Sequence, residues 1–136
     1  MTENRKEIWA EYTGDKKPSL ERMFTAYDRY HEAKRLESAL RKIGVDFSNI
    51  FLLDYGCGPA DYAMHFARLG AITQVFDISN AMTSFAAWRG AREGLNLALS
   101  NGGPQPFDLV IFGEVLEHLA DPLGVMQSFN KAGVKY

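Results

Sequence analysis

Apolar residues occur along this chain in two arrangements: short continuous runs and longer segments with helical spacing. The runs fall at 50–53, 71–76, 95–99 and 107–112, the third being weak. A continuous apolar run of this length reads as a strand buried on both faces, as in a parallel sheet. Between the runs, apolar positions recur at the helical period. Segment 20–43 carries Met23, Phe24, Tyr27, Tyr30, Leu36, Leu40 and Ile43 before Gly44, with Ser19 as its expected N-cap. Segment 62–69 follows Asp61 as N-cap and stops at Gly70. Segment 80–93 follows Ser79, offers Met82, Phe85, Ala86 and Trp88 for burial, and stops at Gly94. A helical turn or two is expected over 114–119. Asp121 and Pro122 then open a helix to about residue 132, acid at the N-cap and proline at the first helical position. A further short helix is expected over residues 3–12, with Ile8, Trp9 and Tyr12 on one side, and a break over 14–18. Strands alternating with helices predict an α/β fold, a Rossmann-like doubly wound parallel sheet whose ligand lies beyond the carboxyl ends of the strands.

Composition narrows the picture. The 136 residues carry a net charge of -2 with 24% charged residues, so there is no strong nucleic-acid signal. One cysteine, Cys57, excludes an internal disulfide framework and fits a reducing compartment. The polar N-terminus lacks a signal-peptide core, and no apolar run nears the ~20 residues of a membrane span. A cytoplasmic protein with no membrane partner is expected. Two domains are read: 1–48, a helical cap or lid segment, and 49–136, the cofactor-binding part. Segment 20–43 reads first as an amphipathic helix covering the sheet, with Tyr27, Tyr30 and His31, beside Trp9, as lid candidates.

The chemistry gathers around 51–61, FLLDYGCGPAD, where an apolar run ends in an acid and opens into a glycine loop. Gly56 and Gly58 supply unusual dihedrals or bare backbone that a ligand can approach. A dinucleotide site would want a third glycine or alanine where Asp61 stands, with an acid ~20 residues on, as Asp77 roughly is. A carboxylate at that helix start competes with a pyrophosphate for the positive end of the dipole. A cofactor without phosphate avoids the conflict.

Segment 52–79, LLDYGCGPADYAMHFARLGAITQVFDIS, followed by FDLVIFGEVLEHLADP, resembles the class I S-adenosylmethionine-dependent methyltransferases over roughly 50–123. The resemblance implies that Asp54 orients the cofactor's amino-acid portion and that Gly56 and Gly58 let backbone lie against it. It implies further that Asp77 accepts both ribose hydroxyls, that Ile78 packs on adenine, and that Gly113 lines the cleft near the methyl donor. The acid that usually meets the adenine amino group after the third strand is not found; Ser100 and Asn101 replace it poorly. The family's sheet usually has further strands, so the fold reads as incomplete at the C-terminus.

Glu114, Glu117 and His118 stand at i, i+3 and i+4, and on a helix beginning at once they would share a face. Such a set can hold a divalent cation, though short of a full coordination sphere. A similar set in the small-RNA 2′-O-methyltransferases and the ubiquinone-pathway O-methyltransferases is associated with a metal at the acceptor hydroxyl. His118 can equally act as a general base or a packing residue, and no residue is assigned as a metal ligand. The resemblance implies an enzyme moving a methyl group from S-adenosylmethionine to a small-molecule acceptor, a hydroxyl by preference, with Glu114, Glu117 and His118 as catalytic candidates. The alternative is a non-catalytic cofactor-binding or dimerisation remnant. An uncovered fourth-strand edge would favour a homodimer, and a dehydrogenase is the third reading.

Overall fold

The computed structural model describes residues 20–136, with side chains from Asp28 onward. The expected helix at 3–12, the break at 14–18, the Ser19 cap and the side chains of Trp9, Met23, Phe24 and Tyr27 lie outside the described residues. The chain divides into a helical unit ending at Val45 and an α/β unit, Asp46–Tyr136.

The helical unit holds α1, Leu20–Lys42. Arg41 and Lys42 in its last turn suit the negative end of the dipole. The chain then turns through Gly44, at φ +89°. Ile43, expected on the apolar stripe, falls just beyond the last helical residue and is 63% exposed. Lys34 Nζ lies 5.0 Å from the centroid of the Tyr30 ring, and His31 meets the same ring edge-on.

In the α/β unit, β1 (Phe51–Tyr55), β2 (Ile72–Phe76), β3 (Leu97–Leu99) and β4 (Leu109–Ile111) form one parallel sheet in the order β3-β2-β1-β4. This is the doubly wound arrangement that the alternation predicts. Leu52, Leu53 and Asp54 are buried, as a strand covered on both faces requires. One face is sealed by α2 (Asp61–Arg68) and α3 (Asn80–Arg92), through a cluster of Cys57, Ala60, Ala63, Met64, Val75, Ala86 and Leu97. The opposite face packs Leu53, Phe107 and Val110 against Phe129 of α4, Pro122–Lys131. In register, Leu53 sits beside Val110 and Asp54 beside Val75, so Asp54 looks towards α2 while its neighbour looks the other way.

The expected caps at Ser79 and Asp121 form. Ser79 Oγ accepts from Met82 N at 3.4 Å, and Asp121 Oδ1 accepts from Gly124 N at 2.9 Å. The cap of α2 differs from expectation. Ala60 is the N-cap in a left-handed conformation, and Asp61 is the first helical residue, its carboxylate engaged by an arginine instead of its own helix.

The outer edge of β4 also differs from the bare edge the sequence suggests. Tyr136 N donates to Asp108 O at 3.0 Å, and Val110 N donates to Tyr136 O at 3.1 Å, a parallel ladder step. Asp108 ties this corner together: its Oδ2 accepts from Phe51 N at 2.8 Å and its Oδ1 from Lys135 Nζ at 2.6 Å. The hydrogen bond from Lys135, then that from Phe51, holds its carboxyl below the usual range, and Lys135 is raised in turn.

Candidate cofactor site

The strand order reverses at β1, whose neighbours are β2 on one side and β4 on the other. Crevices that take ligands in open α/β sheets lie at this point, beyond the carboxyl ends of the strands. Three segments meet there: the loop after β1, the end of β2, and the loop after β4.

The loop after β1 is held by its backbone. Gly56 N and Cys57 N both donate to Phe76 O, at 2.7 and 2.9 Å. Gly58 N donates to Asp77 Oδ2 at 2.9 Å, and Ser79 N to Asp77 Oδ1 at 2.8 Å. Asp77 therefore locks the glycine loop to the β2 end, and each oxygen keeps a lone-pair direction for a further donor. Ile78, next in sequence, is 89% exposed. A part-exposed carboxylate beside a bare aliphatic side chain suits a sugar diol joined to a flat ring. An acceptor beside an exposed apolar side chain thus fits an adenosine moiety.

Asp54 lies on β1, one residue before its end. It is buried, and its Oδ2 accepts from Ala63 N at 3.1 Å in the first turn of α2. It joins strand to helix.

Two glycines at the crevice make room for side chains of the facing segment. Gly56, at φ +72°, would with a Cβ overlap Val115, whose own Cβ would be 2.7 Å away. Gly113 would with a Cβ overlap the Tyr62 ring, 3.1 Å from Cδ2. The loop after β1 thus receives Val115 from the loop after β4, while Gly113 receives Tyr62 from α2. The bare backbone expected at Gly56 is partly occupied by protein, a contact that one-dimensional spacing does not reveal.

Glu114, Glu117 and His118 are exposed and do not share a helical face. Glu114 is left-handed at φ +53°, and only a short 3₁₀ turn, Leu116–His118, follows. The left-handed residue rotates the chain before any helix starts, so the i, i+3, i+4 argument loses its premise. Glu117 Oε1 and His118 Nε2 stay 3.8 Å apart. Among the described residues no three His, Cys, Asp or Glu side chains converge as metal ligands. These residues do not fit a metal centre.

Arg89 and Asp61 form a buried pair that sequence reasoning missed. Arg89 Nη1 donates to Asp61 Oδ1 at 2.8 Å and to Pro59 O at 2.8 Å. One signal was available: Arg89 falls on the buried stripe of α3 with Phe85 and Ala86, where an arginine demands a partner.

Comparison with known proteins agrees with this construction. The model of a methyltransferase domain family matches residues 23–132. A ubiquinone biosynthesis O-methyltransferase from Caulobacter vibrioides is 37% identical over 84 residues, covering 56% of this chain and 33% of that protein. Another, from Colwellia psychrerythraea, is 29% identical over 132 residues, covering 88% of this chain and 52% of its own length. The chain thus spans from a third to about half of the curated relatives it matches. Magnesium protoporphyrin IX methyltransferase (ChlM) from Synechocystis PCC 6803, solved with bound SAH, shares the fold. Its TM-score is 0.70 at 17% identity, with 96% of this chain and 63% of that one covered. Among the described residues no helix is long and apolar enough to cross a membrane. A glycine loop locked to the acid of the next strand stands at the switch point of a parallel sheet, within a match over 23–132, and the chain belongs to the class I S-adenosylmethionine-dependent methyltransferases.

Proposed function

We propose that this chain carries the cofactor-binding part of an enzyme that methylates a small-molecule hydroxyl from S-adenosylmethionine. The observation that carries the reading is the grip of Asp77 on the glycine loop, with Ile78 exposed beside it. When bound, S-adenosylmethionine would supply an electrophilic methyl on a sulfonium, in line for an acceptor oxygen. The chain's own part is placement. Asp77 accepts from the ribose hydroxyls, Ile78 covers the base, and Gly56, Gly58 and Gly113 shape the wall towards the reacting end. His118 takes the proton of the acceptor hydroxyl, with Glu117 beside it and Glu114 at the mouth of the same loop. The hydroxyl preference draws on the relatives named as ubiquinone biosynthesis O-methyltransferases. Residues 1–48 are inferred to serve as a cap segment.

Calorimetry with S-adenosylhomocysteine tests the reading. Saturable binding is expected, weakened by about tenfold or more in Asp77→Ala, since hydrogen bonds to a charged acceptor are lost. Equal affinity of the folded variant and its parent would sink the assignment of Asp77, and preference for NAD would move the chain to the dehydrogenase reading.

A further inference from the structure

We propose that Arg89, an α3 residue outside the crevice, is a positioning residue for cofactor binding because it clamps the one left-handed non-glycine residue of the glycine loop. The inference rests on the cofactor reading above. Ala60 has φ +64°, a conformation in which its Cβ crowds the backbone. Arg89 spans it: the same Nη1 donates to the carbonyl of Pro59 on one side and to the carboxylate of Asp61 on the other, both at 2.8 Å. Fixing both neighbours over-determines the strained residue between them, which is how such backbone persists. Ala60 N in turn donates to Cys57 O at 2.8 Å, so the strained residue is tied directly into the loop. At the other end Phe76 O and Asp77 hold Gly56, Cys57 and Gly58. The loop is therefore pinned from β2 at its start and from α3 at its finish.

The approach of α3 is itself built for this. A Cβ on Gly90 would lie 2.8 Å from Leu97 Cγ, so the glycine lets α3 close on β3 and brings Arg89 under the loop. Both members of the pair are almost fully buried, at 3% and 2% side-chain exposure. A buried ion pair is a weak source of stability compared with an apolar pair of the same volume. A role in fixing geometry accounts for its place better than a role as a strut. A second pair links the same helices at their far ends, where Arg68 donates to Glu93 through Nε at 2.7 Å and Nη2 at 2.6 Å. That pair is half-exposed and joins the opposite end of α2 from the loop, which makes it a control.

The test measures S-adenosylhomocysteine affinity by calorimetry beside thermal melting, for the parent, Arg89→Met, Arg89→Lys, Arg89→Met with Ala60→Gly, and Arg68→Met. Arg89→Met should bind roughly tenfold more weakly while melting cooperatively, and Arg89→Lys should fall between it and the parent. Adding Ala60→Gly should recover part of the loss, because glycine holds a positive φ without the clamp. Arg68→Met should bind within about twofold of the parent. A lower melting temperature with unchanged affinity in Arg89→Met would overturn the proposal in favour of a strut. If Arg89→Met does not fold, Arg89→Lys decides: parental affinity overturns the proposal and weakened affinity supports it. No recovery by Ala60→Gly would overturn the strain argument. A folded parent that does not bind overturns the cofactor reading and this inference together, whereas a parent that binds beside variants that bind equally well overturns this inference alone.

Discussion

At the scale of residues, the crevice works by exclusion as much as by contact. Gly56 meets two demands at once, a positive φ and room for Val115. Gly56→Ala should therefore cost about 1–3 kcal/mol of stability. Adding Val115→Ala should return only the steric share, which paired melting curves would separate. His118 sits differently: its side chain is 76% exposed and bears little packing. His118→Ala should leave S-adenosylhomocysteine affinity within about twofold while lowering kcat by about 10²–10⁴-fold if it takes the acceptor's proton. A kcat within threefold of the parent would reassign it. The Asp54 carboxylate, buried on β1, holds Ala63 N in the first turn of α2.

At the scale of elements, helix ends and strand runs followed local rules. Ser79 and Asp121 cap where short polar side chains precede apolar-periodic segments, and Gly44, Gly70 and Gly94 stand where helices stop. The contraction of the fourth run, read at 107–112, to Leu109–Ile111 reflects pairing with β1 at only Leu52, Leu53 and Asp54. The corner around Asp108 yields a pH prediction. Its carboxyl is lowered, so its contribution is present above the ordinary carboxylate range and is lost as pH falls through the folded value. Lys135 is raised, so its contribution is complete through the ordinary lysine range and is lost only as pH rises beyond it. The melting-temperature difference between parent and Asp108→Asn should therefore be steady from about pH 5 to 10 and shrink below about pH 4. A difference constant to pH 2 would show that this carboxyl does not titrate as linked.

At the scale of the whole molecule, three loops from different strands converge only because the sheet reverses its order at β1. A ligand bound across them joins segments distant in sequence, so binding and stability are coupled. S-adenosylhomocysteine at 100 times its dissociation constant should stabilise the protein by about 2.7 kcal/mol, read as a rise in melting temperature. Self-association belongs to this scale too. Tyr136 takes hydrogen-bonding positions on the β4 edge, so a second copy would have to displace it or pair beyond it. Light scattering should find the chain predominantly monomeric, with more dimer when Tyr136→Pro removes the N–H that bonds Asp108 O.

By itself the sequence determined the order of elements, the parallel sheet, the glycine loop and the acids bordering it. These depend on periodicity, caps and glycines, whose signals are local in the chain. Tertiary structure alone decided the partners: Asp61 with Arg89, Asp54 with Ala63, Val115 against Gly56, Tyr136 along β4. It also decided that Glu114 turns left-handed and separates the three residues that spacing had placed together. A buried charge takes whichever donor the packing brings within hydrogen-bond reach, and packing joins residues that the sequence keeps far apart.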